Sequence, residues 1–416
     1  LCGHELETGT SSKNIQETTV MSTPNLASFG FDTEYQSIFD SAYRVAQNKL
    51  HPLSEQMDRD DWFPDTAYRE LHQHGLLGIT VPARYGGAEL DVLAQCFVLE
   101  AISYWNHSFC SSYMSSENLC INNLVRNCSA EQQEEYLPRF CQGEAIGALG
   151  LTEPGAGSDA LGSMATVARR DGDEYILNGR KLFITNGPVA EVLLVYAKTD
   201  KTQGHGGISA FIVEKGFPGF SVAQKLDKMG WRGSPTGELV FDECRVPARN
   251  LVGKENNGVG IVMSGLDIER AIGCFYCLGM AQRALDLAVE YATTRKQFNK
   301  TIGEFQMIQA MLADMFTDVE TMRALSYQVG REILEIESGE GGHGEIHKRT
   351  AAALLHAGRA SMRILDQAVQ IHGGMGFMKE TEVNRLYRSG KAMEIAAGTN
   401  QVRQIIIAKE LLRVAS

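Results

Sequence analysis

Glu-Pro-Gly-Ala-Gly-Ser-Asp-Ala, residues 153–160, sets Gly155, Gly157 and Ala160 in the G-x-G-x-x-A spacing of a dinucleotide-binding turn. Such a turn works only where a strand leads into it and an amphipathic helix leaves it. Here Pro154 stands immediately before the glycines and β-prone sequence soon follows. The stretch therefore reads as a loop of a β domain and not as the opening of a Rossmann unit. Around it, between Gly147 and Gly253, short β-prone runs such as Leu193–Ala197 and Ile208–Glu214 are punctuated by Asp171-Gly172 and Asn178-Gly179, both hairpin signals. Upstream the period changes. From Thr33, where Thr33 and Gln36 fit a capping box, apolar residues fall at Tyr35, Ile38, Phe39, Ala42, Val45 and Ala46, a helical stripe, and helix-like segments continue to Gly143. After Gly258 helical stripes return: Phe305, Ile308, Leu312, Met315, Val319, Met322, Leu325, Val329 and Ile333 keep a heptad-like spacing suited to a helix bundle. Gly339–Gly344 breaks that helix from the next. The order is α, then β, then α, without an internal repeat.

Composition limits the partners. The 416 residues, 44% of them hydrophobic, suffice for two or three packed units. Acidic residues outnumber basic ones 51 to 39, and the net charge of -12 repels phosphate backbones, so nucleic acid is not an expected partner. Nine cysteines, scattered apart from Cys274 and Cys277, read as reduced thiols and not as a disulfide framework. No apolar run approaches the length of a membrane span. Leu1 to Val20 is polar, carries Glu5, Glu7 and Glu17, and has no arginine. A mitochondrial transit peptide would be arginine-rich and poor in acids, so residues 1–20 read as a leader or disordered tail, with Met21 the natural start. The expected compartment is a bacterial cytosol, or the mitochondrial matrix for a mature organellar protein with a foreign leader.

Chemistry concentrates on a helix expected to begin near Val259. Its segment Met-Ser-Gly-Leu-Asp-Ile-Glu-Arg, residues 263–270, continues into Ala271, Ile272 and Gly273. Glu269 is flanked four residues away on either side by Gly265 and Gly273, so its carboxylate projects between two turns that carry no side chain on that face. A glycine inside a helix costs about 1 kcal/mol relative to alanine. Two explanations remain open: room for a ligand beside the carboxylate, or close packing of another helix. Other motifs promise less. Cys274-Phe-Tyr-Cys277 lies inside the predicted helix, away from the helix N-terminus that would activate a thiol, and reads as packing. His343 and His347 have no third ligand at metal spacing and read as a solvated loop, so no metal is expected. There is no G-x-S-x-G elbow and hence no support for an α/β-hydrolase.

Six further stretches decide the family. They are Leu-Thr-Glu-Pro-Gly-Ala-Gly-Ser-Asp (151–159), Leu-Asn-Gly-Arg-Lys-Leu-Phe-Ile-Thr-Asn-Gly (177–187), Lys-Met-Gly-Trp-Arg-Gly-Ser (228–234), Arg-Lys-Gln-Phe (295–298), Gln-Ile-His-Gly-Gly-Met-Gly (370–376) and Ala-Gly-Thr-Asn-Gln-Val-Arg (397–403). In this order they resemble the successive signatures of the acyl-CoA dehydrogenases, and the likeness covers nearly the whole chain after Met21. Within that family the chain is most similar to the isovaleryl-CoA type. Most members carry the catalytic glutamate immediately before the Gly-Thr of the last signature, where this chain has Ala397; the isovaleryl type places it on the helix that here carries Glu269. One carboxylate is missing from the late site and one is present at the early site.

The resemblance implies an α+β multidomain fold: an N-terminal helical domain (21–146), a central β-barrel-like domain (147–253) and a C-terminal four-helix bundle (254–416). It implies FAD-dependent dehydrogenation of an acyl-CoA thioester to the trans-2-enoyl-CoA, with Glu269 taking the α proton and electrons passing to an electron-transfer flavoprotein. Leu151, Thr152, Gly157, Ser158, Phe183 and Thr185 should line the flavin ring, with Phe183 where many relatives have tryptophan. Arg295, Phe298, Gln370 and Gly374 should hold the pyrophosphate and adenine of a FAD bound mainly to a neighbouring subunit of a homotetramer, and Thr399 and Gln401 should lie near the flavin. Ser158, Asp267 and Arg270 should contact the pantetheine arm or thioester end of the substrate. The alternatives are an isovaleryl-CoA dehydrogenase proper, an acyl-CoA oxidase or other flavoenzyme on this fold, and a non-catalytic relative. One departure bears on the substrate. A bulky aliphatic residue is expected one turn after the base, where this chain has Gly273, and Ala396 and Ala397 line the late site. The expectation is a larger pocket for a branched or medium-to-long acyl chain, unless a methionine or phenylalanine from the helices between Cys96 and Leu124 closes the space.

Overall fold

The computed structural model describes residues 23–335 and 342–414. The leader expected at 1–20 lies outside them. In the N-terminal part the helix Thr33–Val45 buries Phe39, Ala42, Tyr43 and Val45 on one face. Thr33 is its first residue and not its cap; Gln36 Oε1 instead accepts the Leu26 N–H at 2.8 Å, tying the incoming chain to the helix. Val92–Trp105 and His107–Met114 are buried on nearly every side and form the interior of this part. Each has a side-chain cap: Asp91 accepts from Ala94 N at 2.8 Å and Asn106 from Phe109 N at 3.0 Å.

The central part is a sheet of eight strands: β1 (Gly147–Gly150), β2 (Val167–Asp171), β3 (Glu174–Thr185), β4 (Val192–Lys198), β5 (Ile208–Glu214), β6 (Phe220–Lys225), β7 (Thr236–Pro247) and β8 (Leu251–Val252). The hydrogen-bonded order is β6-β7-β3-β2-β4-β5-β8, with β1 parallel to β4. Strand alternation puts the two faces into two cores. Leu193, Val195 and Ala197 of β4, with Phe211 and Val213 of β5, pack inside the sheet domain. Val192, Leu194 and Tyr196, with Ile208, Ala210 and Ile212, pack on the helical residues Ile121, Leu137, Phe140 and Ile261. This double burial explains why the β4 and β5 runs are continuously apolar. Asp171-Gly172 does close a hairpin, with Asp171 opposite Glu174 and Gly172 at φ +61°. Asn178-Gly179 does not: it lies inside β3 as a bulge, where a Cβ on Gly179 would stand 2.4 Å from Thr166 Oγ1.

The C-terminal part is built on the helix Gly258–Thr294, which packs against Val92–Trp105, Gln306–Glu332 and Gly344–His372. Every residue from Asp267 to Ala281 is buried, so this stretch has no solvent-facing side. Along Gln306–Glu332 the heptad-like stripe does what its spacing predicts, with Met315, Val319, Met322 and Val329 buried. Glu382–Gly390 and Asn400–Val414 complete this part. Among the described residues no helix is long and apolar enough to cross a membrane.

Candidate active site

Glu269 sits in the middle of the long helix, 8% exposed. Among the described residues none donates a side-chain or backbone hydrogen bond to its carboxylate. Burial pushes the carboxyl up to about 7, against the opposing pull of the Arg270 and Arg403 guanidinium groups. Arg403 is fully buried. Its Nη1 donates to Met393 O at 3.0 Å and Asn400 Oδ1 at 2.9 Å, and its Nη2 to Ala396 O at 2.5 Å. It thereby holds the turn in which Ala397 and Gly398 both take positive φ, 53° and 85°. Arg403 closes the last signature stretch, but nothing in its spacing assigned it this role; an arginine three residues into a helix reads as surface.

The two glycines beside Glu269 answer the question the sequence left open, in favour of close packing. A Cβ on Gly265 would stand 2.6 Å from Asn123 Oδ1, and one on Gly273 would stand 3.1 Å from Leu354 Cδ1 and 3.2 Å from Met393 Cε. The volume expected beside Gly273 is therefore filled. The closing side chains come from the bundle helix Gly344–His372 and the turn after Gly390, not from the helices between Cys96 and Leu124.

Asp267 and Arg270 are also buried, at 1% and 3% exposure, and they face protein instead of a ligand-sized space. Arg270 Nη1 lies 2.7 Å from Asp267 Oδ1, His347 Nδ1 lies 2.6 Å from the same oxygen, and Gly342 N donates to Asp267 Oδ2 at 2.7 Å. Direct contact of Asp267 and Arg270 with a substrate arm is thus not what this arrangement offers; of the two, Arg270 bears on Glu269 through its charge. His347 is corrected as well. It is a buried residue on the first turns of Gly344–His372 and not part of a solvated loop, whereas His343 is exposed.

Of the residues assigned to the flavin ring, Leu151 and Thr152 lie beside the C-terminal half of β3, which carries Phe183 and Thr185. Leu182 N donates to Thr152 O at 2.8 Å, and the buried Lys181 donates to Leu151 O at 3.1 Å and to Glu153 at 2.9 Å. Glu153 also accepts the N–H groups of Ala165 and Thr166, so this one carboxylate pins both ends of the 153–166 loop. Between Lys181 and Ile184 the β3–β7 register shifts, and Phe183 takes φ 61° with 65% of its surface exposed. A bulky side chain in that conformation is uncommon and needs a reason. Gly155 and Gly157 have nothing within 4 Å of a Cβ, Ser158 is exposed, and Thr185 O accepts from Ser115 Oγ at 3.3 Å. An uncovered aromatic face beside an open glycine loop fits a planar ring with a phosphate-bearing tail.

Arg295, Phe298, Gln370 and Gly374 are all exposed and share the far end of the bundle, where the Tyr291 and His372 rings stack at 4.3 Å. At 1.5 Å per residue, Arg295 lies about 39 Å along the helix from Glu269. Thr399 caps the last helix, accepting from Val402 N at 3.2 Å, and Gln401 next to it is exposed.

Family models for the N-terminal, middle and C-terminal domains of acyl-CoA dehydrogenases match residues 32–144, 148–244 and 256–412. A mitochondrial isovaleryl-CoA dehydrogenase of Solanum tuberosum is 43% identical over 397 residues, 94% of this chain and 94% of that protein. A mitochondrial 2-methylacyl-CoA dehydrogenase of the same plant is 43% identical over 385 residues, 92% of this chain and 91% of that protein. The solved structure of butyryl-CoA dehydrogenase from Megasphaera elsdenii superposes with a TM-score of 0.87 at 36% identity, covering 92% of this chain and 99% of that one. With all three domains matched in order and relatives aligned almost end to end, the chain belongs to the acyl-CoA dehydrogenase family of flavoprotein oxidoreductases.

Proposed function

We propose that the protein dehydrogenates a short, branched acyl-CoA at its α and β carbons, with Glu269 as the base. The observation that carries this is the state of the Glu269 carboxylate. A buried carboxylate without a hydrogen bond destabilises the fold, yet a general base has to be unengaged and to titrate near working pH. Glu269 meets both conditions, and Ala397 leaves no carboxylate at the alternative position. Arg270 and Arg403 offset part of the charge that develops when Glu269 ionises.

FAD, when bound, supplies the acceptor for the hydride leaving the β carbon. Phe183 would face its ring, with Leu151, Thr152, Gly157, Ser158 and Thr185 around it and Thr399 and Gln401 nearby. Ser158, exposed on the glycine loop, is also placed to meet the substrate. Arg295, Phe298, Gln370 and Gly374 would hold the pyrophosphate and adenine belonging to another copy of the chain, because about 39 Å of helix separates Arg295 from Glu269. That separation supports a site shared between two copies, as in the proposed homotetramer. An electron-transfer flavoprotein is the proposed acceptor.

For the acyl chain, Leu354 and Met393 now occupy the space that Gly273 alone would have opened, which favours a short branched chain over a medium-to-long one. The two potato relatives, an isovaleryl-CoA and a 2-methylacyl-CoA dehydrogenase, point the same way, and both being mitochondrial favours the matrix over a bacterial cytosol. The test is anaerobic titration of the FAD-loaded protein with isovaleryl-CoA, a 2-methyl-branched acyl-CoA and octanoyl-CoA. Flavin bleaching is expected with the short branched thioesters, slow reoxidation by oxygen separates a dehydrogenase from an oxidase, and bleaching by octanoyl-CoA alone would overturn the chain-length assignment.

A further inference from the structure

We infer that His347 is a positioning residue for the base: by holding Asp267, it sets where the Arg270 guanidinium stands beside Glu269. The inference rests on the reading of Glu269 as the base. At 2.6 Å from a carboxylate oxygen, His347 Nδ1 can only be a donor, so it has no lone pair for Arg270 Nη1 at 3.3 Å. Arg270 Nη1 is left with Asp267 Oδ1 at 2.7 Å, and Arg270 Nε is buried without an acceptor. The place of the guanidinium therefore depends on Asp267, whose own place depends on His347 and Gly342 N.

A buried, satisfied histidine is by default part of the packing. Two observations favour the sharper role. Gly342 N already ties this segment to Asp267, so His347 is not needed as a tether. Its donor also converges with Arg270 on one oxygen, in a helical turn adjacent to Glu269. Without that donor Asp267 Oδ1 is left to Arg270 alone, the guanidinium is drawn toward Asp267, and Glu269 loses part of the positive charge that favours its ionised form. The remaining charged groups on elements packed here are Arg403 from the last helix, Arg126, whose Nη1 donates to Ser264 O at 3.5 Å, and Glu410, which accepts from Gly344 N at 3.1 Å. Lys348 pairs with Glu345 outside the cluster.

The experiment follows kcat and kcat/KM against pH for the FAD-loaded tetramer with its best bleaching thioester, in wild type, His347→Ala and His347→Asn. Asparagine Nδ2–H can reach the oxygen that His347 Nδ1 reaches. The ascending limb of the alanine variant should move up by about half a pH unit, lowering the rate on that limb about threefold. The asparagine variant should restore the limb, and at pH 9 all three should agree. An alanine variant with an unmoved limb, whatever its activity, or equal displacement in alanine and asparagine variants, would overturn the inference. His347→Leu fills the volume without a donor and makes the same comparison should alanine not fold. Retained turnover in Glu269→Gln would sink the base assignment itself, separately from any result at His347.

Discussion

At residue scale, the raised proton affinity of Glu269 has consequences for activity and for stability that can be separated. General-base catalysis is typically worth roughly 10²- to 10⁴-fold, so Glu269→Gln should keep FAD but lose turnover by at least that factor. In wild type, kcat/KM should rise with pH through about 7, the value at which burial has placed this carboxyl. The stability effect has the opposite direction. A carboxyl whose folded-state pKa is raised holds its proton more tightly when folded. It contributes nothing below the usual carboxylate range, destabilises progressively as pH rises from that range to about 7, and costs a constant amount above it. A pKa unit corresponds to about 1.4 kcal/mol, so the full effect is of order 3 kcal/mol. Glu269→Gln should therefore gain in denaturant midpoint over wild type at pH 8, and the gain should shrink by pH 5. An equal difference at both pH values would show that the carboxylate is better solvated than its burial implies. Glu269 was legible as a helical carboxylate between glycines, but the glycines serve packing, and only the match to family signatures pointed to a base instead of a helix contact. His347 was not legible, since its partner Asp267 lies 80 residues earlier and spacing says nothing about contacts across the bundle.

Among the elements, strand periods and the heptad stripe were readable because each reports one local geometry: β5 spans Ile208–Glu214 as its run predicts, and Met315, Val319 and Met322 face the bundle core. The failures are positions where a tertiary contact overrides a local signal. Asn178-Gly179 has the composition of a turn, but the approach of Thr166 makes it a bulge. Gly273 suggested a cavity until Leu354 and Met393 filled it. Gly273→Leu should accordingly overpack the helix interface and destabilise by about 1–3 kcal/mol. Met393→Ala should open the space and raise kcat/KM for octanoyl-CoA relative to isovaleryl-CoA. If the leucine variant is as stable as wild type, the space is not closed as described. The Lys181–Glu153 pair is the corresponding device in the sheet. Burial lowers the lysine to about 8, so it stays charged at neutral pH beside a carboxylate that also holds the N–H groups of Ala165 and Thr166. Removing one partner of a buried pair typically destabilises by about 3–5 kcal/mol. Lys181→Ala should lose stability on that scale and release FAD more readily than wild type, because Leu151 O and the Glu153 carboxylate lose their anchor together. Intact FAD affinity in a destabilised Lys181→Ala would place the flavin elsewhere.

For the whole molecule, the proposed ring-side and pyrophosphate-side residues are assigned to different copies of the chain, since about 39 Å of helix separates Arg295 from the proposed base Glu269. Phe298 at the bundle end is 87% exposed, and Phe377, in the segment following Gly374, is 77% exposed; large apolar surfaces of this kind are ordinarily covered. In the proposed homotetramer the same surfaces of every copy would cover them. That arrangement yields a test in two variants that refold and pair. Glu269→Gln lacks the base but keeps Arg295; Arg295→Glu lacks the pyrophosphate contact but keeps Glu269. In a hybrid, the site whose base comes from the Arg295→Glu chain receives its arginine from the Glu269→Gln chain and has both groups, while the other site has neither. Random pairing makes about half of the dimers hybrid, each with one complete site, so denaturing and refolding the two inactive variants together at limiting FAD should restore about a quarter of wild-type activity. Each variant refolded alone should stay inactive. Should the mixture also stay inactive although hybrids form, judged by co-purification of two differently tagged chains, the flavin would be held within a single subunit and Arg295 would serve some other contact at the bundle end.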